Sequence, residues 1–343
     1  MVRWTRGGME DRWHGFTRPG AYEWWGFEAY DADRDIAFAL RISAGDPMDP
    51  TYARLVARPE VTDDGRPDRH VRTRVVVYRH GQRLLARTAR PDGADFAAST
   101  TSGAVHAGDV RVQVEERPAG RTSVVEVGSG TRLAFCGPAG RAAGTGDLDG
   151  SVWDLAPLDL RVTGTLEVPR RGGGIETLEF SGRGVHDHGA GPGTPRPGVR
   201  SWAWGWAHAW EFAMAWRQVV LDSGDVHSLL VVDRDGEPFI GEEVRSRRFR
   251  PSVSLLGVPH RRRRRLDAAS GARLAVERSR TLASSPIGMR FVTNVRLSVD
   301  DAGGDIRLVD GMGLSSVARP ARARKAPWHW LTRARDVWTA HRI

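Results

Sequence analysis

Apolar residues fall at every second position in one short run after another. Val110-Arg111-Val112-Gln113-Val114 alternates strictly, and Thr122 to Val127 follows it across the turn signal Arg117-Pro118-Ala119-Gly120. Arg72 to Tyr78 leads through Arg79-His80-Gly81-Gln82 into Arg83 to Ala86, which reads as strand, turn and returning strand. Leu158 to Val162, Gly164 to Val168 and, after three glycines, Ile175 to Phe180 continue the pattern. In the second half, Val226 to Val232, the turn Asp233-Arg234-Asp235-Gly236 and Pro238 to Val244 predict a hairpin. Arg273 to Glu277, Arg290 to Leu297 and Leu308 to Gly311 predict further strands. Many short strands at regular spacing predict an all-β chain of barrels or sandwiches.

The turn-rich stretch His188 to Gly198 predicts neither helix nor regular strand. It divides the chain into 1–187 and 188–343, read as two domains joined by a packed loop. Arg261 to Arg265 is a run of five arginines, expected on a solvated face because like charges repel. The C-terminus, Ala321 to Ile343, mixes Trp328, Trp330, Leu331, Val337 and Trp338 with basic residues and predicts a short helical segment. It reads either as a helix packed on the barrels or as weak peripheral contact with a membrane surface.

Composition sharpens this picture. Glycine supplies 40 of 343 residues, which favours many turns over long helices. The formal net charge of +9 suggests nucleic acid at first sight. However, Lys325 is the one lysine, the arginines look like coding bias, and acidic residues are spread throughout, so no nucleic-acid partner is expected. Cys136 stands alone in an apolar run, which excludes an intrachain disulfide and predicts a small buried residue. No stretch has the length of a signal peptide's apolar core or a membrane span, and the expected compartment is cytoplasmic, or peripheral to a membrane.

Two constellations carry the candidate chemistry. Tyr22-Glu23-Trp24-Trp25-Gly26-Phe27-Glu28-Ala29-Tyr30 holds five aromatic residues in nine positions. On a strand, Tyr22, Trp24 and Tyr30 share one face and Trp25 and Phe27 the other, so apolar surroundings are expected on both. The strand is therefore expected where the two domains meet, with Glu23 drawn into the same region. The second constellation is Ser181-Gly182-Arg183-Gly184-Val185-His186-Asp187-His188-Gly189, followed by Ser201-Trp202-Ala203-Trp204-Gly205-Trp206-Ala207-His208.

In this order the motifs resemble the carotenoid 1,2-hydratase (hydroxyneurosporene synthase) family: Tyr22-Glu23-Trp24-Trp25, then Gly182 and Gly184 with Asp187-His188, then Trp202-Ala203-Trp204. The resemblance covers nearly the whole chain. It implies two tandem lipocalin-like β-barrels with a site between them, and a wider group that includes fungal pericyclases. Gly189 replaces the family's usual Asn, and Gly26 stands where an aromatic is common. Both departures are expected to enlarge or reshape the pocket.

Hydrating an isolated alkene needs a proton donor, a pocket that stabilises a tertiary cation, and one water. A buried carboxyl can donate, and aromatic faces attract a cation. Asp187 is the candidate acid, His188 its orienting partner or water holder, and Glu23 the substitute acid. Tyr22, Trp24, Trp25, His186, Trp202 and Trp204 are candidate substrate contacts. The expected substrate is an apolar small molecule, a long isoprenoid or polyene, hydrated or cyclised. A pericyclase and a non-catalytic carrier of an apolar ligand are the rival readings. His186 and His188, with His208 or Asp187, also have the look of a metal-ligand set. The resemblance implies no metal, and no cofactor or metal is expected.

Overall fold

The computed structural model describes residues 3–5, 11–58, 63–118, 120–138, 144–148, 151–170, 172–193, 199–248, 252–300 and 306–323. Within these residues, nearly every alternating segment is an antiparallel strand in one of two curled sheets. The first sheet holds strands up to Gly191. Its main path runs Gln82–Ala89, Val71–Arg79, Ile36–Ala44, Tyr22–Asp31, Ile175–Gly191, Leu160–Pro169, Thr131–Gly137, Gly120–Val127, Val110–Arg117, Val105–Ala107 and Phe96–Ala98. The second starts at Val199 and runs Glu237–Glu243, Val226–Arg234, Phe212–Leu221, Val199–Ala209, Ile306–Ala318, Gly288–Asp300, Arg273–Ser284, Arg263–Asp267 and Arg245–Arg248. Glu237–Glu243 at one end of this sheet runs on into Arg245–Arg248 at the other through Val244, whose N–H donates to the Ser228 carbonyl at 2.8 Å. The architecture is all-β, with two lipocalin-like barrels in tandem.

Local sequence explains the tight corners. At His80-Gly81 and Asp235-Gly236 both central residues have positive φ (52° and 75°, 52° and 78°), which suits a two-residue hairpin turn whose twist matches the strands. Three of the four apolar cores among the described residues bear on the site. Trp25, Phe27, Phe38, Leu40, Leu133 and Phe135 fill the first barrel. Phe212, Met214, Trp216, Leu230, Leu274 and Leu297 fill the second. The third core lies between the barrels and draws on both, with Tyr22, Trp24, Trp153 and Leu158 from the first and Trp206 and Leu229 from the second.

Several expectations are corrected. His188 to Gly191 is regular strand: the Ile175–Gly191 strand keeps pairing with Tyr22–Trp25 to its end, so the change of sheet falls after Gly191 and the break expected at 187/188 lies within that strand. Glycine permits this, because a Cβ at Gly189 would sit 2.1 Å from the Trp24 ring and one at Gly191 2.5 Å from that of Tyr22. Arg264 is buried, since strand alternation turns it inward while Arg263 stays exposed. Burial of the neighbouring Arg278, with the Arg264 charge beside it, lowers the Arg278 pKa to about 9. Cys136 faces outward, because Leu133 and Phe135 take the interior positions of its strand. A short helix, Pro320–Ala323, follows the last strand; Trp328, Trp330, Leu331, Val337 and Trp338 lie outside the described residues.

Candidate active site

The Tyr22–Asp31 and Ile175–Gly191 strands pair along nine residues, and their pleat sorts the candidate residues onto opposite faces. Asp187 points into the junction between the barrels. His186 and His188 point into the first barrel. The adjacent residues Asp187 and His188 are therefore not partners, and His188 does not orient Asp187.

On the junction face, Asp187 lies directly across from Gly26, and a Cβ there would meet Asp187 Oδ1 at 2.1 Å. Gly26 thus makes the seat for this carboxyl. The other oxygen, Oδ2, accepts the indole N–H of Trp24 at 3.0 Å and that of Trp153 at 3.1 Å. Trp153 reaches the site because Ser151–Leu155 pairs with Asp187–Ala190, beyond the point where Leu160–Pro169 stops pairing. Arg41 lies over the Trp24 ring at 4.7 Å, and Arg217 over the Trp153 ring at 5.4 Å. The space left by Gly26 and Gly189 is filled by the Asp187 carboxyl and the Trp24 indole rather than left as an enlarged pocket.

Around this centre the junction is held by polar links between barrels. Glu28 accepts the Trp206 indole N–H at 3.0 Å and the Arg290 guanidinium at 2.7 Å. Asp35 pairs with Arg280 and accepts the Tyr30 hydroxyl at 2.8 Å. Asp233 accepts the Leu158 N–H at 3.0 Å; burial, with the Asp159 charge, raises its pKa to about 6. Tyr22 stacks on Trp24 at 5.8 Å, and Trp202 packs at the rim of the junction core. Trp204 is half-buried one pleat further along the same strand. Two surface hollows, of about 350 and 340 Å³, lie elsewhere, one beside Arg34, Arg79 and Glu179 and the other beside Ala97, His106 and Gln113.

The inner face has its own polar cluster. The His186 Nδ1–H donates to the Gly26 carbonyl at 2.9 Å, and its Nε2 meets Asp11 Oδ1 at 2.8 Å. Asp11 pairs with Arg121. Burial, with the Arg121 charge, pushes His186 far below the usual imidazole range. Glu23 is also on this face, not in the junction. It meets His188 Nε2 at 2.8 Å and His14 Nδ1 at 3.0 Å, and accepts the His14 backbone N–H at 3.2 Å. Burial alone would raise Glu23, but the hydrogen bonds and charges of His14 and His188 outweigh it and hold the carboxyl below its ordinary range. That environment suits an acceptor, not the substitute acid. Trp25 stacks on His188 at 5.2 Å, away from the junction. His208 sits on the second barrel with its Nδ1 3.7 Å from Asp159. The structure therefore breaks up the metal-ligand set of His186, His188, His208 and Asp187.

Sequence reasoning missed Trp153, Arg41 and Arg217. Ser151-Val152-Trp153 is too short and too close to glycines to read as strand. The arginines are two among many, and only the cross-strand row Arg41–Gly26–Asp187 singles one out.

No protein-family profile matches the chain. Over 98% of this chain and 92% of the other, it is 22% identical to a protein named hydroxyneurosporene dehydrogenase from Chlorobaculum tepidum. Among solved structures, that of CghA with Sch210972 superposes with a TM-score of 0.59 at 13% identity, covering 88% of this chain and 89% of that one. A putative AttH protein from Nitrosomonas europaea gives a TM-score of 0.59 at 14% identity, covering 87% and 92%. The resemblance to the hydroxyneurosporene-type, lipocalin-like group, carried first by the motifs, thus extends along nearly the whole chain in sequence and along most of it in fold.

Proposed function

We propose that this chain is an enzyme of the hydratase/cyclase kind, acting on a long apolar polyene or isoprenoid at the junction of its two barrels, with Asp187 handling the proton. One observation carries the reading. The carboxyl is fixed through Oδ2 by two indole donors, while Oδ1 is seated over a glycine among aromatic rings. A proton on this carboxyl belongs on Oδ1, because Oδ2 already accepts two. In hydration, Oδ1–H gives its proton to the less substituted alkene carbon and the tertiary carbon becomes cationic. Water then adds there and returns a proton to Oδ1. Trp24 and Trp153 offer π-faces worth about 0.5–2 kcal/mol each to the cation.

A second reading is favoured by Arg41 and Arg217. Two guanidinium groups over the same indoles place positive charge where the carbocation would form. A polyene bearing a carbonyl group, cyclised without net protonation, would use those charges rather than be opposed by them. The relative's name, a dehydrogenase, supplies a third outcome to measure.

The test is product analysis in isotopically labelled water with a panel of apolar polyenes, for the wild type and Asp187→Asn. Hydration adds one labelled water, cyclisation leaves the mass unchanged, and dehydrogenation removes two hydrogens. Asp187→Asn is expected to lower hydration by about 10²–10⁴-fold. Full hydration by that variant removes Asp187 from the acid role. Tight binding without conversion by the wild type identifies a carrier instead.

A further inference from the structure

The N-terminal segment, the Tyr22–Asp31 strand and the end of the Ile175–Gly191 strand bring two imidazoles and a carboxylate together at the mouth of the first barrel. The donor atoms of His14, Glu23 and His188 all lie within 4.8 Å of one another. The side chains of Glu23 and His188 are fully buried, while that of His14 is 23% exposed. The geometry points to a binding site for a divalent first-row transition ion, with zinc as the natural probe, held by His14, Glu23 and His188. Two histidines and one glutamate form an established zinc donor set that leaves a further position open. Here the exposed His14 side is the route by which an ion enters. Two nitrogen donors argue against magnesium or calcium, which prefer all-oxygen shells.

The surroundings of His188 supply an independent argument. With a proton on Nε2 donated to Glu23, the buried Nδ1 has no hydrogen-bond partner, and its lone pair faces the Asp154 carboxylate 3.9 Å away. With a metal on Nε2, the proton moves to Nδ1 and points at Asp154. That is the carboxylate–histidine–metal order that fixes ring orientation and strengthens the ligand. Trp25, stacked on the imidazole, holds the ring in plane. The ion would clasp the segment around His14 to the barrel. The site faces away from Asp187, so this inference does not depend on the catalytic reading.

The experiment uses the full-length protein after chelator treatment and dialysis. Zinc is titrated by calorimetry, cobalt(II) by its visible spectrum, and melting temperature is followed against zinc concentration. One zinc per chain is expected, with a melting temperature that rises with free zinc and no response to calcium. His14→Ala changes an exposed residue and should weaken zinc binding by about tenfold or more. Asp154→Asn should weaken it by about 10–100-fold without removing a ligand. Absence of stoichiometric binding overturns the proposal and leaves the hydrogen bonds of Glu23 with His14 and His188 as the account of the cluster. Zinc binding that both variants leave unchanged overturns it equally, by placing the ion elsewhere.

Discussion

The inside of the first barrel and the junction between the barrels are built from alternate residues of the same two strands, yet they treat polar groups differently. Inside, two clusters form, Asp11 with Arg121 and His186, and Glu23 with His14 and His188, and His188 Nδ1 and Arg121 Nε are left without a hydrogen bond. At the junction, polar groups are left partly open. Asp187 is held by one oxygen only, and buried Asp233 has one hydrogen bond and an unsatisfied Oδ1. Inside, the carboxylates Asp11 and Glu23 are held by a guanidinium and by imidazoles, whereas Asp187 and Asp233 at the junction accept neutral N–H donors. That contrast supports the proposal that Asp187 works at the junction.

The sharpest way to break this contrast is to remove one indole from each side. Trp24→Ala and Trp25→Ala each delete a buried indole, and each should lower the unfolding free energy by about 3–5 kcal/mol in urea titrations. Only Trp24→Ala also removes a hydrogen bond from Asp187, so turnover per folded molecule should collapse in that variant alone.

A smaller effect follows from Asp233. Its pKa, raised from 3.8 to about 6, means the folded state binds more protons than the unfolded chain in that window. Its contribution to stability is therefore present below about pH 4, falls as pH climbs towards 6, and is flat beyond. The lost part is at most about 3 kcal/mol. Asp233→Asn imitates the protonated form, so its melting temperature should exceed that of the wild type at pH 7 and the gap should close near pH 4. The smallest effect is expected of Trp204→Ala, which trims a half-buried ring and should alter stability by only about 0.5 kcal/mol. A loss of activity there would extend the working surface further along the second barrel.

Much of the architecture was legible in period-two alternation, because each strand has one face in a core and its turns carry glycine at left-handed positions. Alternation also placed Tyr22, Trp24 and Tyr30 on one face and Trp25 and Phe27 on the other, as found in the two cores. It was less informative where a residue's partners lie far away in sequence. Asp187 and His188 look like a pair because they are adjacent, but adjacency on a strand means opposite faces. Their true partners, Trp153 for one and Glu23 for the other, are set by strand order. Gly26 and Gly189 looked like open space. Whether a missing side chain leaves a hole or a seat depends on the neighbouring strand, which no local pattern reveals.

The core shared between the barrels has a consequence for synthesis. The first barrel is translated before the second, so Tyr22, Trp24, Trp153, Leu155 and Leu158 emerge from the ribosome with no surface to cover them. Until Trp206 and its neighbours arrive, the nascent half presents a greasy flank. A chain cut after Gly191 should therefore stick to itself or to chaperones.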